Sequence, residues 1–419
     1  MRVYKFGGAS VKDAESVKNV HRIIESSAGG NLIVVISAMG KTTNKFEALL
    51  DAHFEEKPTK DLLESIRAEH VKIASDLFGE KAKKVIDDIN NTLVEVEWAL
   101  DDPDGLDKHF QYDQIVSIGE MLSTKIVSAF LNSEGAANSW VDARDLIRTD
   151  NTYQDAKVDW NETHKLTSGT IERALKKAPI VVTQGFIGGT SENFTTTLGR
   201  EGSDFTAAIL AHCVSAKDVT IWKDVPGVLN ADPKYFENTE LIPEMSYFDA
   251  MELAYFGTSV IHPKTIKPLQ NAGIPLHVKS FVSPAKSGTI VTDSANSETV
   301  PSFIVKQNQA LVSISPTDHS FVAENHFIEV FSVLNELRIK SNVMQNSAIS
   351  FSFCMDFDES KLKQLSNQLG AEFEVKYNEG CELITVRHFN EETISKLVNG
   401  RQILLEQRTR TSAQLVVSF

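Results

Sequence analysis

Apolar residues in the first 300 positions follow two alternating patterns. Short runs rich in Val and Ile, each followed by Gly or polar turn residues, alternate with longer stretches in which apolar residues recur every three to four positions. The short runs predict buried strands and the longer stretches predict helices. The predicted strands are Val3–Phe6, Leu32–Ile36, Ile180–Thr183 and Val219–Trp222, and the predicted helices include Ala14–Ser26, Met121–Asn132 and Asp204–Cys213. The alternation predicts an α/β domain with a mainly parallel sheet between two layers of helices.

After about residue 305 the pattern changes to strand, helix, strand, strand, helix, strand, which is typical of a ferredoxin-like unit. These elements are predicted at Ala310–Ser315, Asn325–Leu337, Ile339–Met344, Ile349–Met355, Glu359–Leu369 and Glu372–Tyr377. A second, shorter set follows, with predicted strands or helices at Leu383–His388, Glu391–Val398, Ile403–Arg408 and Gln414–Phe419. The predicted domains are 1–295, 305–378 and 379–419, the last being short and completed by residues near 300–310.

Charge and cysteine content narrow the function classes. The net charge is −15, and a uniformly acidic surface repels nucleic acids and anionic membranes, so neither is an expected partner. Cys213, Cys354 and Cys381 have no metal-site spacing, which favours reduced thiols in a cytoplasmic protein. The longest apolar runs are strand-sized and no secretory signal is expected at the first residues.

The first candidate for chemistry is Lys5-Phe6-Gly7-Gly8-Ala9-Ser10, at the end of the first predicted strand. Two glycines allow the backbone to approach an anion closely, and exposed N–H groups with a neighbouring lysine can hold phosphate. The alternative is an ordinary tight turn with a lysine in solvent. The segment is neither a Walker A loop nor a GxGxxG motif.

The second candidate is TLGREGSD, Thr197–Asp204, which leads into an apolar helix. Ser203 is predicted to be the helix N-cap and Asp204 to lie in the first turn. In a functional interpretation Arg200 binds a carboxylate through two hydrogen bonds and Asp204 faces a metal ion or the transferred group. The alternative is an ordinary helix start.

Three further features follow predicted strands or begin a predicted helix. They are Glu120 in IGE, Ser37 and Thr43 in ISAMGKTTN, and the turn-rich loop Lys223–Lys234. Polar residues at the carboxyl ends of parallel strands mark the edge where open α/β sheets bind ligands. Each feature alone has an ordinary structural explanation, but together they predict a phosphoryl-transfer site without naming the acceptor.

Eight blocks of the sequence resemble aspartate kinases, which belong to the amino acid kinase superfamily. In order, from residue 2 to about 291, they are KFGGAS, VVISAMGKTTN, IVSIGEMLST, VDARDLI, VVTQGFIGGT, TLGREGSDFTAAILA, DVPGVLNADPK and FGTSVIHPKTI. The KFGG, GREGSD and IGE blocks together distinguish aspartate kinases from glutamate 5-kinase, acetylglutamate kinase and UMP kinase. The C-terminal part resembles paired ACT domains. The resemblance implies an amino acid kinase fold, followed by ferredoxin-like βαββαβ ACT regulatory domains.

The resemblance also implies an activity and a set of contacts. The implied reaction moves the γ-phosphoryl group of Mg·ATP to the β-carboxylate of L-aspartate, the first step of lysine, threonine and methionine biosynthesis. Lys5 and Asp204 would be catalytic, with Asp204 organising Mg²⁺ through the nucleotide. Aspartate would contact Ser37, Thr43, Glu120 (α-ammonium) and Arg200 (α-carboxylate), and ATP would contact Lys5, Gly7, Gly8, Ser203, Lys223, Asp224, Leu229 and Lys234.

This sequence departs from the family pattern around the nucleotide. Ser259 stands where a lysine is frequent, and Lys264 is a possible substitute for that lysine. Leu229 stands where tyrosine is common, and Lys234 where arginine is common. These changes leave open a second hypothesis, a catalytically inactive relative that binds amino acids as a regulator. A third hypothesis is a superfamily enzyme acting on another acid.

The regulatory part leaves its effector open. Asn342 stands where lysine-sensitive relatives have an acidic residue, and Val343–Ser347 also resembles threonine-responsive relatives. If the protein has an effector, the expected contacts are Asn342 and Gln345. The effector could be lysine or threonine, and the absence of any effector is the third alternative. The resemblance implies a homodimer or tetramer assembled through the ACT domains. From the chain length, a fused homoserine dehydrogenase is not expected.

Overall fold

A computed structural model describes residues 1–27, 29–101, 107–257, 260–293 and 300–418. Residues 294–299, which belong to the predicted boundary between the domains 1–295 and 305–378, lie outside the described residues. The described chain divides into two compact units. The first contains residues 1–228, 243–251 and 260–293, and the second contains 229–242, 252–257 and 300–418.

The first unit is built on a mainly parallel sheet. Its strands are β1 (Arg2–Phe6), β2 (Leu32–Ile36), β3 (Asn138–Trp140), β4 (Ile180–Gln184), β5 (Ile187–Gly189), β6 (Thr195–Thr197), β7 (Val219–Lys223), β8 (Glu244–Ser246), β9 (Leu276–Ser280) and β10 (Thr289–Thr292). Within the described residues the main sheet has the order β3-β4-β2-β1-β7-β9-β10-β8, and β5 and β6 form a separate hairpin. Neighbouring strands of the main sheet are parallel except β9 and β10.

Helices cover both faces of this sheet. The helices up to residue 272 are α1 (Ala14–Ser26), α2 (Thr42–Phe54), α3 (Lys60–Phe78), α4 (Lys83–Asp101), α5 (Lys108–Val116), α6 (Ile118–Ser133), α7 (Trp160–Leu175), α8 (Gly202–Cys213), α9 (Tyr247–Phe256) and α10 (Pro263–Ala272), of which α9 is divided between the two units. α6 packs on β2 and β4, while α8 packs on β1, β2 and β7. Every residue of β2 and of β4 is buried because both sides of each strand are covered. The α/β prediction is confirmed.

The stretch Lys108–Ser133 is long and apolar enough to cross a membrane by composition alone. In this structure 83% of its most apolar window is buried inside the protein. Leu122, Ile126 and Val127 of α6 are fully buried and belong to the apolar core beneath the sheet. Burial against other protein elements accounts for the apolar composition, as in a core helix.

The second unit contains an antiparallel sheet with helices. Its elements are β11 (Ser302–Pro316), α11 (Glu324–Glu336), β12 (Val343–Asn346), β13 (Phe351–Asp356), α12 (Glu359–Leu369), β14 (Phe373–Arg387), α13 (Glu391–Leu397), β15 (Gln402–Arg408) and β16 (Ser412–Ser418). The strand order is β12-β13-β11-β14-β16-β15 within the described residues. This arrangement is consistent with the predicted ferredoxin-like elements.

Two long strands correct the predicted element boundaries. The segments predicted as separate strands at 372–377 and 383–388 are one continuous strand, β14, and the strand predicted at 310–315 extends back to Ser302 in β11. β11 and β14 pair along most of their length, with irregular register near Gln309. Because residues 302–306 pair with 383–387, the same strand contributes to both halves of the sheet.

Candidate functional site

The carboxyl ends of three neighbouring strands meet at one edge of the main sheet. Lys5 lies in register with Val35 of β2 and with Ile221 of β7. The N–H of Ser37 donates to Phe6 O at 3.1 Å, and the N–H of Gly185 donates to Ile36 O at 3.0 Å. The loops that follow β1, β2 and β4 therefore begin side by side, as expected for a ligand-binding edge of a parallel sheet.

A buried cluster of charges lies next to this edge. The Lys5 Nζ is 2.6 Å from Asp204 Oδ1, and the Lys223 Nζ is 3.1 Å from Asp204 Oδ2. Lys5 is 6% exposed and Asp204 is fully buried. Lys5 and Val3 point to the same face of β1, which α8 covers, because side chains alternate along a strand. The sheet and α8 thus hold two lysines on one carboxylate.

The two lysines determine the charge of Asp204. Burial alone would raise its pKa, but the charges and hydrogen bonds of Lys5 and Lys223 outweigh burial and hold the pKa below its ordinary value. Burial likewise opposes the charged form of Lys223, yet Asp204 and Glu201 raise its pKa. The charged forms of Asp204 and Lys223 are therefore favoured, and Glu201, whose Oε2 is 3.7 Å from Lys223 Nζ, adds a second carboxylate to the cluster.

Gly8 brings the first loop against the second. A Cβ atom at Gly8 would lie 2.7 Å from Ala38 O and 2.8 Å from Gly40 O, so another residue would have to displace backbone. Gly7 is beside Lys5, because a Cβ there would lie in ordinary contact, 3.5 Å from Lys5 Nζ, but Gly7 itself does not line the cavity described below. Gly8 therefore allows a close approach of backbone next to Lys5, which suits a phosphate contact.

The start of α8 differs from the prediction in one residue. The helix begins at Gly202 and its N-cap is Glu201, in the left-handed conformation (φ 55°), so Ser203 is not the N-cap. The prediction failed because Ser203 is a favourable capping residue by type, whereas the preceding loop holds Glu201 in the capping position. Asp204 lies in the first turn, as predicted.

A cavity of about 600 Å³ opens at this edge. Of the predicted site residues, it is lined by Lys5, Gly8, Ser37, Thr43, Glu120, Arg200 and Ser203. These seven residues come from four separate segments of the sequence, and the fold of the first unit brings them together. Arg200 is exposed, so its guanidinium is accessible to a ligand carboxylate.

Glu120 is a buried carboxyl group in the wall of the cavity. It is 3% exposed, its Oε1 accepts from the Ala38 N–H at 3.2 Å, and its Oε2 has no hydrogen-bond partner among the described residues. Burial raises the pKa of Glu120 to about 8, although the Ala38 hydrogen bond and the Lys5 charge oppose that shift. A buried carboxylate oxygen without a partner is costly, and a bound ammonium would satisfy it.

Several lining residues were not among the predicted site residues, including Glu47, Tyr112, Gln154 and Phe186. The Tyr112 hydroxyl donates to Glu47 Oε1 at 2.8 Å, which joins α5 to α2 at the cavity. Gln154 and Phe186 both have positive φ angles, of 70° and 71°. Phe186 lies within VVTQGFIGGT and Tyr112 lies shortly before the IGE block, whereas the residue types of Glu47 and Gln154 gave no signal.

The remaining predicted contacts do not line the cavity. Lys223 binds Asp204, which also binds the lining residue Lys5. Asp224 is exposed and follows β7 directly. Leu229 and Lys234 belong to the second unit, and their nucleotide role stays a prediction. Ser259 lies outside the described residues. Lys264, the suggested substitute, forms an ion pair with Asp155 and is absent from the cavity lining.

The predicted effector residues lie in the second unit. Asn342 accepts from Lys306 Nζ at 2.9 Å and donates to Gln309 Oε1 at 2.7 Å and to Asp356 Oδ1 at 3.0 Å. Gln345 is exposed on β12. The Asn342 amide is therefore already used on both sides by neighbouring side chains.

The cavity combines two cationic side chains, Lys5 and Arg200, with the carboxyl group of Glu120. Lys5 can neutralise phosphate charge, the Gly8 backbone can approach an anion, and Arg200 with Glu120 can hold the two charged ends of an amino acid. No group of three His, Cys, Asp or Glu side chains suited to a metal ion occurs among the described residues.

Comparison with known proteins places these features in context. The model of the amino acid kinase family matches residues 1–280. The lysine-sensitive aspartokinase 3 of Escherichia coli is 31% identical over 399 residues, which are 92% of this chain and 86% of that protein. The chloroplastic aspartokinase 2 of Arabidopsis thaliana is 31% identical over 84% of this chain, and the chain spans 66% of that relative's length.

The same likeness appears in three dimensions. The structure of E. coli aspartokinase III in complex with aspartate and ADP matches with a TM-score of 0.83 at 27% identity, covering 100% of this chain and 96% of that one. The complex of the same enzyme with lysine and aspartate gives the same score and coverage. Both units of this chain therefore have counterparts in a solved structure.

Proposed function

We propose, from the premise that this chain belongs to the amino acid kinase family and within it to the aspartokinases, that it transfers the γ-phosphoryl group of ATP to the β-carboxylate of L-aspartate. The product is 4-phospho-L-aspartate. The observation that carries the proposal is the cavity in which buried Glu120, with an unpartnered oxygen, lies with Lys5 and exposed Arg200. Its charges complement an amino acid with a carboxylate side chain and a phosphate donor.

The chemistry requires positioning more than proton transfer. The β-carboxylate of aspartate is ionised at neutral pH, so it can attack phosphorus without a general base. The difficulty is bringing two anions together, and Lys5 with the backbone around Gly8 would reduce their repulsion. Arg200 would bind the α-carboxylate and Glu120 the α-ammonium, which leaves the β-carboxylate directed at the phosphate.

A divalent cation, Mg²⁺ in our proposal, would enter with ATP. When bound, it would neutralise part of the phosphate charge. Asp204 is the carboxylate beside this region, and its charge is already matched by Lys5 and Lys223. We assign Asp204 mainly to holding those two lysines charged and in place, with an indirect effect on the metal.

An ADP-release assay tests the acceptor. Mg·ATP is offered with L-aspartate, L-glutamate or N-acetyl-L-glutamate, and hydroxylamine traps any acyl phosphate as a hydroxamate. We expect ADP release and hydroxamate only with aspartate. Turnover on another acid would replace the acceptor in the proposal. ATP binding without turnover on any acid would instead favour a regulatory amino-acid-binding protein.

The second unit would bind an amino-acid effector and join copies of the chain. β12 lies at the edge of its sheet, with one paired neighbour among the described strands, and Ile328, Phe331 and Met344 are exposed nearby in sequence on α11 and β12. An open strand edge with apolar side chains suits self-association. Light scattering should give a dimer or tetramer, and Met344→Lys should shift it toward monomer. A monomeric wild-type chain would contradict this assignment.

Lysine and threonine are the effector candidates. Adding each one separately to the ADP-release assay shows which of them inhibits turnover. We also infer a cytoplasmic protein, in keeping with three buried cysteines that are all free. Labelling of intact and lysed cells with a membrane-impermeant amine reagent, which reacts with exposed lysines, tests this inference. Modification in intact cells would contradict it.

A further inference from the structure

Asp113 is a fully buried carboxylate outside the predicted site and outside the cavity lining. It lies near the end of α5, directly before Gln114 and after the cavity residue Tyr112. Its oxygens accept from the Thr197 N–H at 2.8 Å, from the Thr197 hydroxyl at 2.7 Å, and from the Gln154 N–H at 3.1 and 3.2 Å. One side chain thus joins two segments that are 43 residues apart in sequence.

Both segments continue into the cavity. Gln154 lines it directly, and Thr197 is three residues before Arg200. The two segments also contact each other, since the Ala156 N–H donates to Thr197 O at 2.9 Å. At Gly199, with a φ of 77°, a Cβ would lie 2.5 Å from Asp155 Oδ1, so the chain turns toward Arg200 with no space to adjust. A shift at Thr197 would therefore move Arg200.

The chemistry of these contacts requires a carboxylate. Thr197 N–H, Thr197 O–H and Gln154 N–H are all donors, so their partner must accept with both oxygens. An asparagine would direct its NH₂ group at one of these donors. Burying the carboxylate is costly, and this cost would be unnecessary if Asp113 only filled space in the core.

We propose that Asp113 is a positioning residue that holds Thr197 and Gln154 together and thereby sets where Arg200 meets the carboxylate of the acceptor. The proposal rests on the proposed function, because the role of Arg200 is part of that function. Asp113 does not contact the cavity itself, so its effect on the reaction is indirect. The proposal predicts that replacing the Asp113 carboxylate weakens binding of the acceptor selectively.

Titration of Asp113 gives an independent readout. Burial raises its pKa to about 6, while the hydrogen bonds from Thr197 and Gln154 and the charge of His109 oppose that shift. The other titratable groups that interact with it are Tyr112 on the same helix and Tyr153 beside Gln154, whereas β6 contributes only threonines. Below pH 6 the protonated group can no longer accept all these hydrogen bonds, so the KM for aspartate should rise as pH falls through 6.

Gln114 offers a matched control. Gln114 binds the same strand, β6: its side chain accepts from the Thr195 N–H at 3.2 Å and donates to Thr195 O at 2.8 Å. Thr195 is two residues farther from Arg200 in sequence than Thr197 is. Gln114→Ala should lower stability while leaving the KM for aspartate within about twofold of wild type. Asp113→Asn should raise that KM roughly tenfold or more, because small displacements of a binding group cost this much or more, with kcat and the KM for ATP within about threefold.

The test is steady-state kinetics of wild type, Asp113→Asn and Gln114→Ala from pH 5.5 to 8, with hydrogen exchange of the Gln154 and Thr197 amides. Asp113→Asn should show faster exchange at both amides and lose the rise in KM below pH 6. If Asp113→Asn does not fold, Thr197→Val, which removes one donor, should raise the KM about threefold.

An unchanged KM for aspartate in Asp113→Asn, or in Thr197→Val if that variant replaces it, would overturn the proposal. So would an equal rise in Gln114→Ala, or equal rises in the KM for aspartate and for ATP. A wild-type protein without aspartate-dependent turnover would instead refute the proposed function. In that case the exchange data still decide whether Asp113 holds the two segments.

Discussion

Each unit contains a group of interacting polar side chains, and the two groups differ in how completely their hydrogen-bonding atoms are used. In the first unit, Lys5 and Lys223 bind Asp204, but the nearby carboxylate of Glu120 keeps one buried oxygen without a partner among the described residues. These groups adjoin a cavity of about 600 Å³, which Lys5 and Glu120 line.

In the second unit the polar groups satisfy one another. Asn342 and Gln309 each use both ends of their amides, with Lys306 and Asp356 as further partners. A satisfied polar group stabilises one arrangement of the chain, whereas a buried group lacking a partner is a candidate for ligand contact. The comparison is consistent with the proposed ligand contact at Glu120 and with a structural role for the Asn342 network.

The largest effect should follow replacement of Lys5. Lys5→Ala removes a cation from the phosphate region and should lower kcat roughly a hundredfold or more, because such contacts act mainly on the transition state. Steady-state kinetics with saturating ATP and aspartate measure this. Near-normal turnover of Lys5→Ala would show that the buried charge cluster of the first unit is not catalytic.

Arg200 should affect acceptor binding more than turnover. Arg200→Lys keeps the charge but loses the planar pair of donors, so the KM for aspartate should rise about tenfold. The KM for ATP is the internal control and should change little. An equal change in both constants would contradict a specific contact with the acceptor's carboxylate.

Glu120→Gln should change how the stability of the protein depends on pH. A carboxylate whose folded pKa is raised to about 8 binds its proton more tightly in the folded state, so stability is lost as pH rises from the unfolded pKa toward 8. The neutral variant avoids this loss and should be more stable than wild type by on the order of 2 kcal/mol at pH 8, and by much less at pH 5. Urea unfolding at both pH values checks this, and a destabilised variant at pH 8 would contradict it.

The smallest effect is expected at Asn342. Asn342→Ala removes hydrogen bonds in a half-buried network and should lower the free energy of unfolding by about 1 kcal/mol. Without an effector, kcat should stay within about twofold, because the change lies in the regulatory unit. Thermal unfolding and kinetics measure the two quantities. A large loss of kcat would contradict a purely structural role of the Asn342 network.

Local patterns were sufficient where one element's own residues decide its limits. Leu32–Ile36, Ala14–Ser26 and Glu359–Leu369 are present with the bounds that the sequence predicts, because each has a clear apolar period between polar or turn residues. The long strand β14 was divided in the prediction because its middle, 376–380, is polar and exposed. Pairing with β11 carries the strand through that stretch, and no local pattern reveals it.

The candidate site shows the same limit. Lys5, Glu120 and Arg200 stand in recognisable motifs, so their place at the cavity could be predicted. Asp113 and Gln154 could not, since Asp113 is one polar residue in a helix and its partners come from distant segments. Their contacts depend on tertiary packing, as does the capping of α8 by Glu201.

The central claim is that Glu120 receives the ammonium of the acceptor, and proton release on binding tests it most directly. Calorimetric titration with L-aspartate at pH 7, in buffers of different ionisation enthalpy, counts the protons released. With a pKa of about 8, Glu120 should release close to one proton on binding in the wild type and none in Glu120→Gln, which should bind more weakly. Equal proton release and equal affinity in the two proteins would contradict the account.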